Sequence, residues 1–281
     1  MLSFLVFMFG LGIGSFLNAV IYRLALAGGL VSHVRDRERK VPASPFRGRS
    51  FCPRCGHTLS WQDLIPLLSF VLLRARCRYC KKPISWQYPL VEISTAFVFL
   101  LSFKFQVSNL NQVSSFEVLS IFYLWVIASL LIVLFVYDLR HYILPDKILL
   151  PAIFVVCIWY FVSSIFFNFY TRYEILNTIY AGVAAAGFFF VIFALSKGRA
   201  MGFGDVKLAA FMGLFLGWPS ILSALFTAFM AGAAVGIVLI LMKKKGMRSE
   251  VPFGPFLIAG TFVALFFGKL LVDRYIGFLL T

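Results

Sequence analysis

The chain has 281 residues, 61% of them hydrophobic and only 13% charged, and a formal net charge of +15. That balance is far too apolar for an ordinary soluble domain and predicts an all-α polytopic membrane protein. The apolar runs are long enough for a hydrocarbon core, which needs about 20 residues per helix. In chain order, eight spans are expected, at about 2–24, 89–103, 117–137, 148–168, 176–195, 206–218, 219–242 and 253–272. The first run has no small-residue cleavage pattern behind it and carries Asn18 and Arg23, so it is expected to be a retained helix and not a secretory signal. The sixth and seventh spans are separated only by Trp218-Pro219-Ser220, a tight hairpin.

The basic residues are distributed as topology demands, not as nucleic-acid binding would. Twelve of the 26 Lys and Arg lie between Arg35 and Lys82. Others cluster at Arg140 and Lys147, at Lys197, Arg199 and Lys207, and at Lys243, Lys244, Lys245 and Arg248. These clusters fall on alternate sides of successive spans, as the positive-inside rule requires. The surplus charge therefore faces anionic membrane lipid, no nucleic-acid partner is expected, and both termini are expected outside. Three segments follow: a first transmembrane helix over 1–27, a cytosolic insert over 28–88 and a transmembrane core over 89–281.

The insert is polar, basic and too small to hold a large hydrophobic core, so it needs a staple. Two CxxC pairs supply one: Cys52-Pro-Arg-Cys55 and Cys77-Arg-Tyr-Cys80, with 21 residues between them, just beyond the usual four-cysteine zinc spacing. The halves repeat, since Leu59-Ser60-Trp61-Gln62 after the first pair matches Ile84-Ser85-Trp86-Gln87 after the second. Two facing thiolate knuckles make a four-cysteine tetrahedral zinc site, closed and therefore structural. Two disulfides are the alternative, disfavoured by the reducing cytosol. His57 is a further possible donor inside the first knuckle, with a solvated side chain the plainer account, and Cys157 reads as a small core residue of its span.

Only 11 residues are acidic, so an acid at a membrane edge points to function. Asp205 follows Gly202-Phe203-Gly204 and precedes an apolar run; the glycines allow a turn and close approach to a ligand, whereas a helix cap with Lys207 as partner is the plainer account. Asp138 closes the third span, at a helix C-terminus where the macrodipole disfavours an anion. Asp146 follows Pro145 and reads as an N-cap. If the third and sixth spans pack together, Asp138 and Asp205 face one another. Two carboxylates sharing one proton can activate water and stabilise an oxyanion, which is the aspartic protease device. Arg140, His141 and Lys207 stand near enough in sequence to tune such a pair or to face lipid.

The whole chain, taken in order, resembles the bacterial prepilin peptidases, the GxGD membrane aspartic peptidases that process type IV pilins. The resemblance rests on Gly14-Ser15-Phe16-Leu17-Asn18 with Ile21-Tyr22-Arg23, the four cysteines, Ile65-Pro66-Leu67-Leu68-Ser69, and Tyr88-Pro89-Leu90-Val91-Glu92. It continues through Asp138 to Asp146, Gly202 to Asp205, and Pro252-Phe253-Gly254-Pro255-Phe256. A departure is Ala25, where the pattern has proline. The resemblance implies prepilin and pseudopilin substrates, cleaved after a short basic leader at the inner face of the bacterial inner membrane, with Asp138 and Asp205 as the catalytic pair. It also implies N-methylation of the new terminus from S-adenosylmethionine, associated with the amino-terminal half and the cysteine insert. Glu92 then either helps to hold the new amino terminus or is an acid favoured in a first helical turn. Asn18 and Arg23 either line the site or, for Arg23, anchor the interface. The rival readings are a peptidase without methylation, a proton-coupled transporter using the same acids as a relay, and a metal-dependent scaffold. The relay predicts acids near mid-span and inverted repeats; here the acids stand at the edge and the repeat is confined to the insert.

Overall fold

The structure, a computed structural model, describes residues 1–30, 48–107, 114–167, 169–199, 201–242 and 251–279. The basic residues Arg35 to Arg47 and the cluster Lys243 to Arg248 lie outside the described residues. Among the described residues the regular elements are helices: α1 (Leu2–Ala27), a 3₁₀ turn (Trp61–Leu64), α2 (Leu68–Leu72), α3 (Gln87–Gln106), α4 (Ser115–His141), α5 (Asp146–Phe167), α6 (Arg172–Ser196), α7 (Phe203–Leu216), α8 (Ser220–Leu241) and α9 (Gly254–Leu279). Uninterrupted apolar runs choose the helix because, in hydrocarbon, a backbone must satisfy its own donors and acceptors.

The eight expected spans correspond to the eight long helices, but not all of these can cross a membrane alone. Among the described residues α1, α3, α4, α5, α6 and α8 are long and apolar enough. With 14 residues, α7 rises only about 21 Å, short of the roughly 30 Å hydrocarbon core. The hairpin between α7 and α8 is tight, as expected: α7 is capped by Gly217 in a positive-φ conformation (65°) and α8 starts at Ser220.

The chain divides into two compact units, 1–133 and 134–281. In the first, α1 packs along α3. Gly10 and Gly14 sit one turn apart on α1, and a Cβ on either would lie 2.6 Å from a backbone Cα of α3, that of Ala96 or of Glu92. This small-xxx-small seam lets two membrane helices approach closely. Phe99 of α3 stacks on Trp125, centroids 4.9 Å apart, and Trp125 Nε1 donates to the Phe99 carbonyl at 3.2 Å. In the second unit α6 pairs with α7 and α8 with α9, while α7 also touches α5 and α9. The buried face of α7, from Val206 through Leu208, Ala209, Phe211 and Met212, fixes the helix whose first turn carries Asp205. Gly14→Leu should therefore lower the thermal unfolding midpoint of the detergent-solubilised protein, at a cost of about 1–3 kcal/mol from overpacking. An unchanged midpoint would mean that the α1–α3 seam contributes nothing to stability.

Candidate functional site

Asp138 lies in the last turn of α4 and is only 5% exposed. The helix ends just beyond it, where Tyr142 turns left-handed (φ 58°). A carboxylate there faces the negative end of its own helix. The compensation comes from another helix: the amide of Gly254, the first residue of α9, donates to the Asp138 carboxylate. The N-terminus of α9 thus presents its positive end to the acid. Gly254 is required by this approach, because a Cβ there would collide with Oδ2 of Asp138.

Asp205 is 9% exposed, in the first turn of α7. It is not the cap; Gly202 holds that position, and the Gly202 amide donates to the Asp205 carboxylate. Asp138 is close enough for its charge to act on Asp205. Leu144, in the turn between α4 and α5, wedges the assembly: a Cβ on Gly204 would lie 3.1 Å from Leu144 Cβ, and one on Gly254 3.5 Å from Leu144 Cδ2. The glycines are therefore not equivalent. Gly204 is needed for packing, whereas Gly202 has φ −79° and open space, and nothing in its conformation demands glycine.

Lys207 does not partner Asp205. Its ammonium bonds both carboxylate oxygens of Asp146 at 2.8 Å and lies 5.2 Å from the Phe203 ring centroid. Asp146 is the first residue of α5, and the Ile148 and Leu149 amides donate to the Pro145 carbonyl, so Pro145 does the capping and Asp146 instead ties α5 to α7. A long, flexible lysine reaches whichever acid is exposed, and Asp146 is the more exposed of the two. Arg140 is exposed, and the His141 ring packs 4.8 Å from that of Tyr137.

Asn18, Arg23 and Glu92 form a polar line through the first unit. The Asn18 amide donates to the carbonyls of Tyr88 (3.0 Å) and Gly14 (3.3 Å), and its oxygen receives Gln87 Nε2 at 3.4 Å. Arg23 is buried and donates to the Gly48 carbonyl at 2.9 Å, so it is not an exposed interfacial anchor. Glu92, 6% exposed, accepts from the Leu67 amide at 2.9 Å. It stands beyond the first turn, because α3 starts at Gln87 and takes Pro89 into its opening turn, where proline lacks no needed donor. The favourable-first-turn account of Glu92 is thereby removed.

The four insert cysteines are free thiols whose sulfurs all lie within 4.8 Å of one another, Cys52 and Cys80 at 4.0 Å. Zinc–thiolate bonds near 2.3 Å require a sulfur–sulfur edge of about 3.8 Å, so the set fits a tetrahedral metal ion and is no disulfide. Burial pushes the Cys52 thiol up to about 12, and a bound cation would be what holds it as thiolate. The repeat is structural as well as sequential. Cys52 and Cys77 amides donate at 2.9 Å to the carbonyls of His57 and Lys82, and the bridges Phe51–Thr58 and Arg76–Pro83 close the two knuckles alike. His57 is exposed and stacks on Tyr79, centroids 3.7 Å apart, outside the thiol cluster. Cys157 is exposed on α5, not in the core, since its helix presents that side outward.

A family model described as "Bacterial Peptidase A24 N-terminal domain" matches residues 8–105, and "Type IV leader peptidase family" matches 125–237. Curated relatives named prepilin leader peptidase/N-methyltransferase align along nearly all of the chain. That of Aeromonas hydrophila is 34% identical over 97% of this chain and 93% of its own, and that of Legionella pneumophila 31% identical over 96% and 93%. The chain belongs to the type IV leader peptidase family. A further relative, from Myxococcus xanthus (strain DK1622), is 36% identical over 88% of this chain and 67% of its own. No solved structure matches. Family membership favours the peptidase over the transporter reading, and the long apolar helices make this leader peptidase a multi-pass membrane protein. Elemental analysis of the purified protein should find one zinc per chain, and Cys77→Ser should lose the metal and lower the unfolding midpoint. A metal-free wild type of equal stability would leave the cysteines without a structural role.

Proposed function

We propose that Asp138 and Asp205 are the catalytic pair with which this prepilin leader peptidase and N-methyltransferase removes the leader from type IV prepilins and pseudopilins. The observation that carries the proposal is two nearly buried carboxylates in one unit, each held by a single backbone amide from a helix N-terminus, with the charge of one acting on the other. Such a pair holds one proton between two like charges. The ionised carboxylate takes a proton from water as the water attacks the scissile carbonyl. The protonated one hydrogen-bonds that carbonyl and stabilises the oxyanion, then returns its proton to the leaving amine. Leu144 and the exclusion of bulk water around the pair strengthen these interactions.

The setting is the cytosolic face of the bacterial inner membrane, with the cysteine insert cytosolic and zinc its structural ion. This orientation follows from the basic clusters flanking the spans. S-adenosylmethionine, the donor that methylation implies, supplies an electrophilic methyl group to the new α-amine. Glu92 and Asn18 are the chain's own contribution proposed here: the buried Glu92 carboxylate suits a protonated amine and can take its proton, and the Asn18 amide oxygen is a further acceptor on α1. The lipid bilayer and the prepilin's apolar helix are the remaining partners.

Incubation of the purified protein with a prepilin, with and without S-adenosylmethionine, followed by mass measurement, tests the whole assignment. Asp138→Asn and Asp205→Asn should each lower cleavage by roughly 10²–10⁴-fold at unchanged thermal stability, and full cleavage by either would remove the pair. Asp146→Asn should keep appreciable cleavage, since Asp146 is exposed and pairs with a half-buried Lys207. Gly254→Ala places a methyl group against Asp138 and should depress cleavage while leaving methylation of a pre-cleaved pilin intact. Loss of both activities together would indicate general unfolding instead.

A further inference from the structure

The outer surface of the cysteine insert carries a pattern that peptide cleavage does not use. Trp61 is 74% exposed and Trp86 69%, the same residue of each repeat. Between them α2 presents Leu68, Val71 and Leu72 outward, an i, i+3, i+4 apolar face that is exposed among the described residues. Directly after α2 comes a groove lined by Leu73, Arg74, Arg76, Cys77, Arg78 and Lys81. Its basic side chains are exposed; Arg78 bonds Asp63 at 2.7 Å, and Arg74, Arg76 and Lys81 form no ion pair among the described residues.

The comparison of the two knuckles shows that this charge is placed against conformational preference. At the left-handed position the first knuckle has Gly56 (φ 69°), whereas the second has Lys81 (φ 58°). Arg74 and Ala75 are also left-handed, at 49° and 56°. A non-glycine residue there costs roughly 1–2 kcal/mol, and strain of this kind is retained where it serves a site. Phe51 and Pro53 of the first knuckle are likewise replaced in the second by Arg76 and Arg78.

We propose that this face of the insert docks on an anionic phospholipid membrane. Trp61, Leu68, Val71 and Leu72 enter the boundary between headgroups and acyl chains, and Arg74, Arg76 and Lys81 take lipid phosphates. Position and charge both select this occupant. Trp86 caps α3, a membrane-crossing helix, and Phe70 of α2 packs edge-on against it with centroids 5.1 Å apart. The α2 face therefore continues from a level where the bilayer surface already passes, and where tryptophans are favoured. The exposed surface also joins an apolar strip to a cationic groove in which Arg74, Arg76 and Lys81 form no ion pair among the described residues, which complements lipid of negative charge.

The full-length protein in nanodiscs tests this. Discs of phosphatidylcholine with increasing phosphatidylglycerol, carrying bromine on the acyl chains, report docking through quenching of the Trp61 emission, taken as the difference from Trp61→Phe. Quenching should rise with the phosphatidylglycerol fraction. Lys81→Gly, which installs the residue of the first knuckle and relieves strain, and Arg74→Ala should each shift the docking equilibrium about five-fold toward release, with zinc content and prepilin cleavage unchanged. Trp61 emission that iodide quenches and brominated lipid does not, at every lipid composition, would overturn the proposal and turn the face toward a soluble acidic partner. Quenching that both variants leave unaltered would overturn the role of the groove.

Discussion

The second unit depends on how one carboxylate is tolerated at the wrong end of a helix. Asp138 closes α4, where four carbonyls already point outward and an anion gains nothing. The first amide of α9 answers it, and this approach sets much else. It needs Gly254, brings α9 to within reach of the α4–α5 turn, and seats Leu144 against both Gly254 and Gly204. Through Gly204 the constraint passes to Asp205. The two acids are thus placed by backbone amides and close packing.

The first unit solves a different problem. A polar insert joins two membrane helices and has little core of its own, so order comes from four sulfurs and from duplicated turns. Asp63 adds a second clasp, joining the 3₁₀ turn to the second knuckle. Burial works against its ionisation, but Arg78, Ser60 and Tyr79 outweigh it and hold the carboxyl below the usual range.

Much of this was legible in the sequence because it depends on spacing and on cost. Apolar runs locate the helices, the paired CxxC motifs locate the sulfur cluster, and an acid at an unfavourable helix end marks Asp138. What spacing misses is long-range partnership. Lys207 and Asp205 are two residues apart, so they read as a pair, yet lysine's four-carbon stem reaches across to α5 and bonds Asp146. Pro252 to Phe256 is visible as a motif, but that its glycine makes room for Asp138 depends on residues more than a hundred positions apart. The seam of Gly10 and Gly14 was present as a small-xxx-small pattern and could have identified the α1–α3 contact. Glu92 shows the limit of boundary estimates, since shifting a helix start by two residues changes an acid from favourable cap to buried group.

The insert is bonded at both ends to the helices it connects: Arg23 of α1 reaches back to the carbonyl of Gly48, and Leu67, itself left-handed, gives its amide to Glu92 of α3. Metal loss is therefore not confined to a surface loop. If the knuckles open, Leu67 has no reason to keep its strained backbone, and Glu92 loses one of its two donors, keeping only the Ser15 side chain, a defect of about 1–3 kcal/mol. The sulfur cluster at the surface and a carboxylate buried between two membrane helices are in this way one mechanical unit, joined through the backbone of a single leucine.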